Sequence, residues 1–195
     1  MQPFTLQSPR LQLLVPGPAD VPAIVDACQD EAVQRFTTVP TPYGEPDARF
    51  FLDRIVDHGW ATGRELSWGI REPGSSLLVG MISIRLAGHD LGFWMSRGAR
   101  GKGLMTEAVR LVVDWAFDER GLPDVRWEGY VGNDGSAAVA RRSGFSYAGV
   151  GPGTHPGRDG GHPLCWRGRL LSTDDRDPKP GWPAAGDPVP AAAGS

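Results

Sequence analysis

The most constraining stretch of this chain runs from Asp90 to Ala116: a short apolar run, a basic glycine-rich loop and a one-faced helix, in that order. Leu104, Ala108, Leu111, Val112, Trp115 and Ala116 recur at steps of three and four. One stripe of that helix is therefore apolar and has to be buried. Upstream, Asp90-Leu91-Gly92-Phe93-Trp94-Met95 is too short for a buried helix and reads as a strand. Between the two lies Arg97-Gly98-Ala99-Arg100-Gly101-Lys102-Gly103. Its glycines let backbone N–H groups approach a ligand, the helix start offers a positive dipole end, and Arg100 and Lys102 add charge. Phosphate is the natural anion for such a loop. The same residues also suit a plain tight turn with a solvated basic rim, and the loop alone does not separate the two readings.

The rest of the chain supplies the layers such a unit needs. Leu11 to Val15 reads as a first strand closed by Pro16-Gly17-Pro18, and Asp20 as the cap of a helix carrying Ile24 and Cys28 on one face. A second helix starts near Gly44-Glu45-Pro46, with Phe51 and Ile55 four apart, and ends near Gly59. Leu66 to Ile70 and Leu77 to Ile84, separated by Pro73-Gly74, form an antiparallel hairpin. Val125 to Val131 and Leu164 to Leu171 read as strands, and Gly135 to Ser143 as a short helix ended by Gly144. The class is mixed α/β.

With 195 residues, one domain with a sizeable core is expected. From Thr173 to Ser195 the composition turns to Asp, Pro, Gly and Ala, which bury little apolar surface, so the domain is read as residues 8–172 and the rest as a disordered tail. A net charge of −3 and a pI near 5.8 give no general attraction for nucleic acid or an anionic membrane. Cys28 and Cys165 lack CxxC spacing, and no signal peptide or long apolar span is visible, so a soluble, cytoplasmic protein is expected. His155, Arg158, Asp159 and His162 occupy the Gly-Pro-rich stretch Gly151 to Pro163, where no regular metal-ligand spacing exists; a mobile substrate-side loop is the reading, with no metal. Cys165 is read as a small buried hydrophobe rather than an acyl carrier.

Spacing narrows the phosphate readings. A Walker loop needs Gly where Ser96 stands and Ser or Thr where Gly103 stands; a dinucleotide fingerprint needs Gly where Thr106 stands. The segment Arg100-Gly101-Lys102-Gly103-Leu104 instead resembles the CoA-pyrophosphate loop of the GNAT acyltransferases, with Met105 where that family usually has Gly or Ala. Thr106-Glu107-Ala108 resembles the loop-to-helix passage of its ribosomal-protein N-terminal acetyltransferase (RimJ/RimL-type) branch. A second segment, Asn133-Asp134-Gly135-Ser136 through Gly144-Phe145, resembles the family's Asn-x-x-Ser, short helix, Gly-Phe passage, and Ser8-Pro9-Arg10-Leu11 resembles its opening; the likeness covers residues 8–172.

That resemblance implies a GNAT fold: a central, mixed but mostly antiparallel sheet of six to seven strands, splayed between two parallel central strands and flanked by about four helices. It implies acetyl-CoA, or another short acyl-CoA, as co-substrate. Pantetheine would lie between Asp90–Met95 and Val125–Val131, against the backbone of Phe93, Trp94 and Met95, with the phosphates at Arg100, Gly101, Lys102, Gly103, Leu104 and Met105, and with Asn133 and Ser136 as further contacts. Asn133 equally suits a helix N-cap. Acyl transfer to an amine needs a base and a proton for the leaving thiolate. Glu128 matches the place of a general base in some relatives, Asp90 is an alternative acting through water, Ser136 resembles the proton donor of the ribosomal-protein branch, and Tyr147 is another proton source. The acceptor implied is a protein N-terminus or a small primary amine, its pocket drawn from Val33 to Gly63 and Gly151 to Pro163, with a homodimer common among relatives. A non-catalytic CoA-binding module that keeps the loop without a working base is the alternative, and a nucleotide-binding regulator a third.

Overall fold

Glycine and proline interrupt the chain often enough that its strands are short and its connections tight. The computed structural model describes residues 1–184, and among these eight strands form one sheet. They are β1 (Leu6–Gln7), β2 (Gln12–Leu14), β3 (Glu65–Arg71), β4 (Gly80–Arg85), β5 (Asp90–Met95), β6 (Asp124–Tyr130), β7 (Ser146–Pro152) and β8 (Leu164–Leu171), in the order β1-β2-β3-β4-β5-β6-β8-β7. All neighbours are antiparallel except β5 and β6, which run parallel. The expected hairpin is present as β3 and β4, joined through the Pro73-Gly74 turn. Six of the seven residues of β3 are buried, so both of its faces are covered.

The sheet is wider than the sequence suggests. Its first strand is only two residues long, below what alternation reveals, and β7 is an edge strand of mostly polar and small residues that pairs with β8 through a register shift at Tyr147/Gly149. The helices number α1 (Val21–Ala27), α2 (Glu31–Phe36), α3 (Glu45–Phe50), α4 (His58–Thr62), α5 (Leu104–Asp118) and α6 (Asp134–Arg142). Helix α2 was not expected; Asp30 caps it by accepting the Ala32 and Val33 N–H groups at 3.1 and 3.2 Å. Asp20 does not cap α1 with its side chain. It accepts the Gly17 N–H at 2.9 Å and pairs with Arg71 at 2.6 Å, where both side chains are 8% exposed.

Between α3 and α4 the rod continues as a π-helix, Phe51–Asp57. The wider turn selects Ala48, Leu52, Val56 and Trp60, four apart, as the buried stripe, while Ile55 is 38% exposed. The stripe expected at Phe51 and Ile55 is thus displaced by one residue. The rod passes Gly59 and ends at Gly63. At Gly59 the rod comes close to β3, and a Cβ there would sit 2.2 Å from the Glu65 carbonyl oxygen.

In α5, Met105, Val109 and Val113 join Leu104, Ala108, Val112 and Ala116 in the core, and Leu111 and Trp115 are only partly covered. Residues 173–184, read from composition as the start of a tail, lie against the domain. Arg176 pairs with Asp114 at 2.8 Å and lies over the Phe117 ring, and the Trp182 indole N–H donates to the Phe145 carbonyl at 3.0 Å. Residues 185–195 of that tail fall outside the described residues.

Candidate active site

Two strands that start in register and then separate create the site. Strands β5 and β6 pair only at Asp90↔Arg126 and Leu91↔Trp127. Beyond Leu91, β5 stays zipped to β4 as far as Met95↔Gly80, and β6 to β8 as far as Tyr130↔Cys165. Each strand is therefore satisfied on its outer edge and open on its inner one, and an open inner edge seeks hydrogen-bond partners. The run Phe93-Trp94-Met95 flanks this fork.

At the top of the fork the chain turns through Arg97–Ala99 and the glycine loop into α5. Gly101 and Gly103 have φ of 76° and 77°, a left-handed conformation that side chains disfavour, so glycine is needed at both. Among the described residues no protein acceptor meets the backbone N–H groups of Gly101 through Thr106. Such a row of donors at a helix start is a nest for an anion. The Lys102 ammonium has no carboxylate partner among the described residues.

Arg100 has a different part. Its Nε donates to the Met95 carbonyl at 3.0 Å and its guanidinium pairs with Asp30 at 2.7 Å. Arg100 is therefore a strut that ties the loop to the end of β5 and to the cap of α2. The Arg100 bond, with two backbone N–H groups of α2 helping against modest burial, holds the Asp30 carboxyl below its usual range. From behind, Arg10 donates to the Lys102 carbonyl at 2.8 Å, and Ser8 donates to Glu107 at 2.5 Å. Met105 is 6% exposed and belongs to the core. Its side chain points away from the nest, and only its N–H remains among the candidate phosphate contacts.

Asn133 caps α6, accepting the Ser136 N–H at 3.2 Å. Its side-chain nitrogen has no protein partner among the described residues. The Ser136 hydroxyl accepts the Trp127 indole N–H at 3.2 Å, which leaves its own proton free to donate. Tyr147 lies with its ring 5.5 Å from that of Trp182, and burial raises its phenol above the ordinary range.

Adjacent strand residues face opposite ways, so Glu128 lies on the side of β6 away from Trp127 and Ser136, together with Asp90 and Arg126. Glu128 accepts the Thr154 N–H at 2.8 Å, the Thr154 hydroxyl at 2.9 Å and Arg167 at 3.0 Å. Asp90 accepts Arg85 Nε at 2.5 Å and faces His155 Nε2 at 3.2 Å. Arg158 reaches across to the Gln34 carbonyl and, at 2.8 Å, the Thr41 hydroxyl. The stretch 153–163 thus meets the chain between α2 and α3. Cys165 is buried, and desolvation together with the Glu128 charge pushes its thiol up to about 11 despite Arg167, so it stays protonated at neutral pH.

The strands of this fork and the loop above it lie within residues 10–146, which the acetyltransferase (GNAT) domain model matches, more than half of the chain. The chain belongs to the GNAT acetyltransferase family. YjcK of Bacillus subtilis (strain 168), which carries the name of an N-acetyltransferase, is 35% identical over 92 residues, 44% of this chain and 51% of YjcK. The chain thus spans about half the length of that curated relative. A structure bearing the name of a ribosomal-protein-serine acetyltransferase from Vibrio cholerae superposes with a TM-score of 0.79 at 20% identity, over 88% of this chain and 99% of that one. RimL, a ribosomal L7/L12 alpha-N-protein acetyltransferase, in complex with coenzyme A superposes at 0.73 with 17% identity, over 86% and 98%. At these identities the two structures speak for the GNAT fold.

Within the GNAT domain, reading the residues in order misses the partners that hold the loop and the fork. Asp30, Arg10, Glu107, Thr154 and Arg167 each act through a contact distant in sequence. Ser8 and Arg10 had a signal in the opening motif, whereas Asp30 had none, since the helix it caps was itself not expected.

Proposed function

We propose that this chain is an acyl-CoA-dependent N-acyltransferase that moves an acetyl or other short acyl group to a primary amine by direct attack in a ternary complex. The observation that carries the reading is the fork between β5 and β6 with six successive backbone N–H groups at its top, Gly101 to Thr106, that meet no protein acceptor among the described residues. These residues fit CoA: the open inner edges suit the amides of pantetheine, and the nest with Lys102 suits a pyrophosphate. Bound acyl-CoA supplies an activated thioester. Arg100 keeps the nest in place against Asp30, Asn133 offers its free side-chain N–H at the other strand, and the Ser136 hydroxyl gives a proton to the departing thiolate. The acceptor enters from the side of Glu128 and Asp90, between residues 153–163 and the chain after α2. A protein N-terminus is the acceptor favoured by the named activity of RimL, with small amines the other class.

A second reading, a CoA-binding module without turnover, is favoured by one fact: both candidate carboxylate bases, Glu128 and Asp90, are committed to arginines. Calorimetric titration with acetyl-CoA and a thiol-release assay separate the two. The panel holds tetrapeptides with free Ser, Ala or Met N-termini and small primary amines. Binding plus CoA release with at least one amine is expected. Binding without release across the panel establishes the module instead, and stronger competition by ATP or NAD than by CoA overturns both.

A further inference from the structure

We infer that His155 is the group that takes the proton from the acceptor amine, with Asp90 as its positioning residue; the inference rests on the acyltransfer reading above. Thr154 and His155 straddle the fork. Thr154 is bonded through its N–H and hydroxyl to Glu128 on β6, and His155 through Nε2 to Asp90 on β5 at 3.2 Å. Asp90 belongs to a paired position of the parallel ladder and Glu128 is the residue after the last paired one, so these contacts lie where the strands part. They lie on the face opposite Ser136, so a proton acceptor and a proton donor flank the fork from its two sides.

The two carboxylates are poorly suited to the task themselves. Glu128 accepts three hydrogen bonds, one of them from Arg167, and protonating it would break that ion pair. Asp90 is clamped by Arg85, which also reaches Glu65 on β3 at 3.4 Å. An ionised Asp90 only accepts, so neutral His155 donates Nε2–H to it and keeps its lone pair on Nδ1. Among the described residues Nδ1 has no protein partner, and the side chain is 54% exposed. A carboxylate fixing the tautomer of an imidazole with one free nitrogen is the arrangement of an oriented base. The remaining histidines differ. His89 is tied to the buried Asp124 and His162 to the Gly153 carbonyl, and His58 belongs to α4.

The step balances as follows. Nδ1 takes a proton from the substrate ammonium, giving a free amine and an imidazolium. The amine nitrogen bonds to the thioester carbonyl carbon, and the C–S bond breaks with its electron pair going to sulfur. The thiolate takes the Ser136 hydroxyl proton, the proton shed by the new amide nitrogen returns to Ser136 through water, and the imidazolium releases its proton to solvent.

The test compares the wild type with His155→Gln, His155→Ala, Asp90→Asn and Glu128→Gln in the thiol-release assay, with acetyl-CoA affinity measured calorimetrically alongside. Both His155 variants are expected to keep acetyl-CoA affinity within about twofold while kcat falls on the order of 100-fold or more. Added imidazole should restore part of the His155→Ala activity. Asp90→Asn is expected to lose less, and ¹⁵N NMR should show the Nε2–H tautomer of His155 in the wild type and its loss in Asp90→Asn. His155 variants that turn over within threefold of wild type overturn the inference, as does a loss of acetyl-CoA affinity that accounts for the whole defect. A wild type that binds acetyl-CoA and releases no CoA with any amine removes the acyltransfer reading itself, and this inference with it.

Discussion

Met105 stands at the one position where the CoA-type loop departs from its family pattern, and Met105→Ala tests what that side chain does. It retains 6% of its exposure, so nearly all of its apolar surface is withdrawn from water. Cutting it back to Ala forfeits the transfer free energy of the atoms beyond Cβ, about 2 kcal/mol. It also leaves a hole in the core that the surrounding helix and sheet only partly fill, adding about 1 kcal/mol. The expected loss is about 3 kcal/mol, or a fall in Tm of roughly 6 to 12 °C for a domain of this size. The backbone N–H groups of the nest stay where they are, so the Kd for CoA should move by less than about threefold, under 1 kcal/mol. Urea denaturation and calorimetric titration of the folded variant measure the two quantities separately. A tenfold change in Kd with unchanged stability would refute the argument, since it would place the side chain at the phosphates rather than in the core.

Gly103→Ala should do the reverse. With φ at 77°, a Cβ there costs about 1 kcal/mol of stability and tilts the donors of the nest, so CoA binding should weaken tenfold or more; unchanged affinity by titration would count against the nest. A separate expectation concerns acid stability. Asp124 is 2% exposed, and although burial opposes its charge, His89, Arg169 and Arg126 together hold the carboxyl down to about 2. Its folded-state value is depressed, so its contribution, on the order of 2 kcal/mol, is fully present above about pH 4 and is lost as pH falls toward about 2. In denaturant titrations Asp124→Asn should trail the wild type by that amount at pH 7, with the gap narrowing by pH 3; a gap constant with pH would contradict the assignment.

The parts of this site written in neighbouring residues were legible in the sequence. The strand, loop and helix from Asp90 onward, the Asn133 cap and the order of the two motifs each depend on spacing, and spacing is local. What could not be read is what reaches across the fold. Arg100 looks like a phosphate ligand in sequence, yet Asp30, seventy positions away, engages it in the structure. Glu128 looks like a free strand carboxylate until β8 brings Arg167 beside it and the following loop brings Thr154. The buried stripe of the α3–α4 rod was displaced because a π-helical turn changes the period on which the reading depends. In the segment from Thr173 composition averages out the single side chain, Trp182, that has enough apolar surface to dock it.

That docking carries the packed part of the described chain as far as Trp182. The family match stops at residue 146, yet the Trp182 ring rests 5.6 Å from that of Trp127, on the indole whose N–H holds the Ser136 hydroxyl. A boundary drawn by homology, or at the last strand of the sheet, would keep every motif and remove the ring that packs on Trp127. It would also remove a natural optical probe. With Trp127, Tyr147 and Trp182 in one cluster, unseating residues 173–184 is expected to change the emission of Trp127 and Trp182, which a fluorescence comparison of the wild type with Trp182→Ala would check.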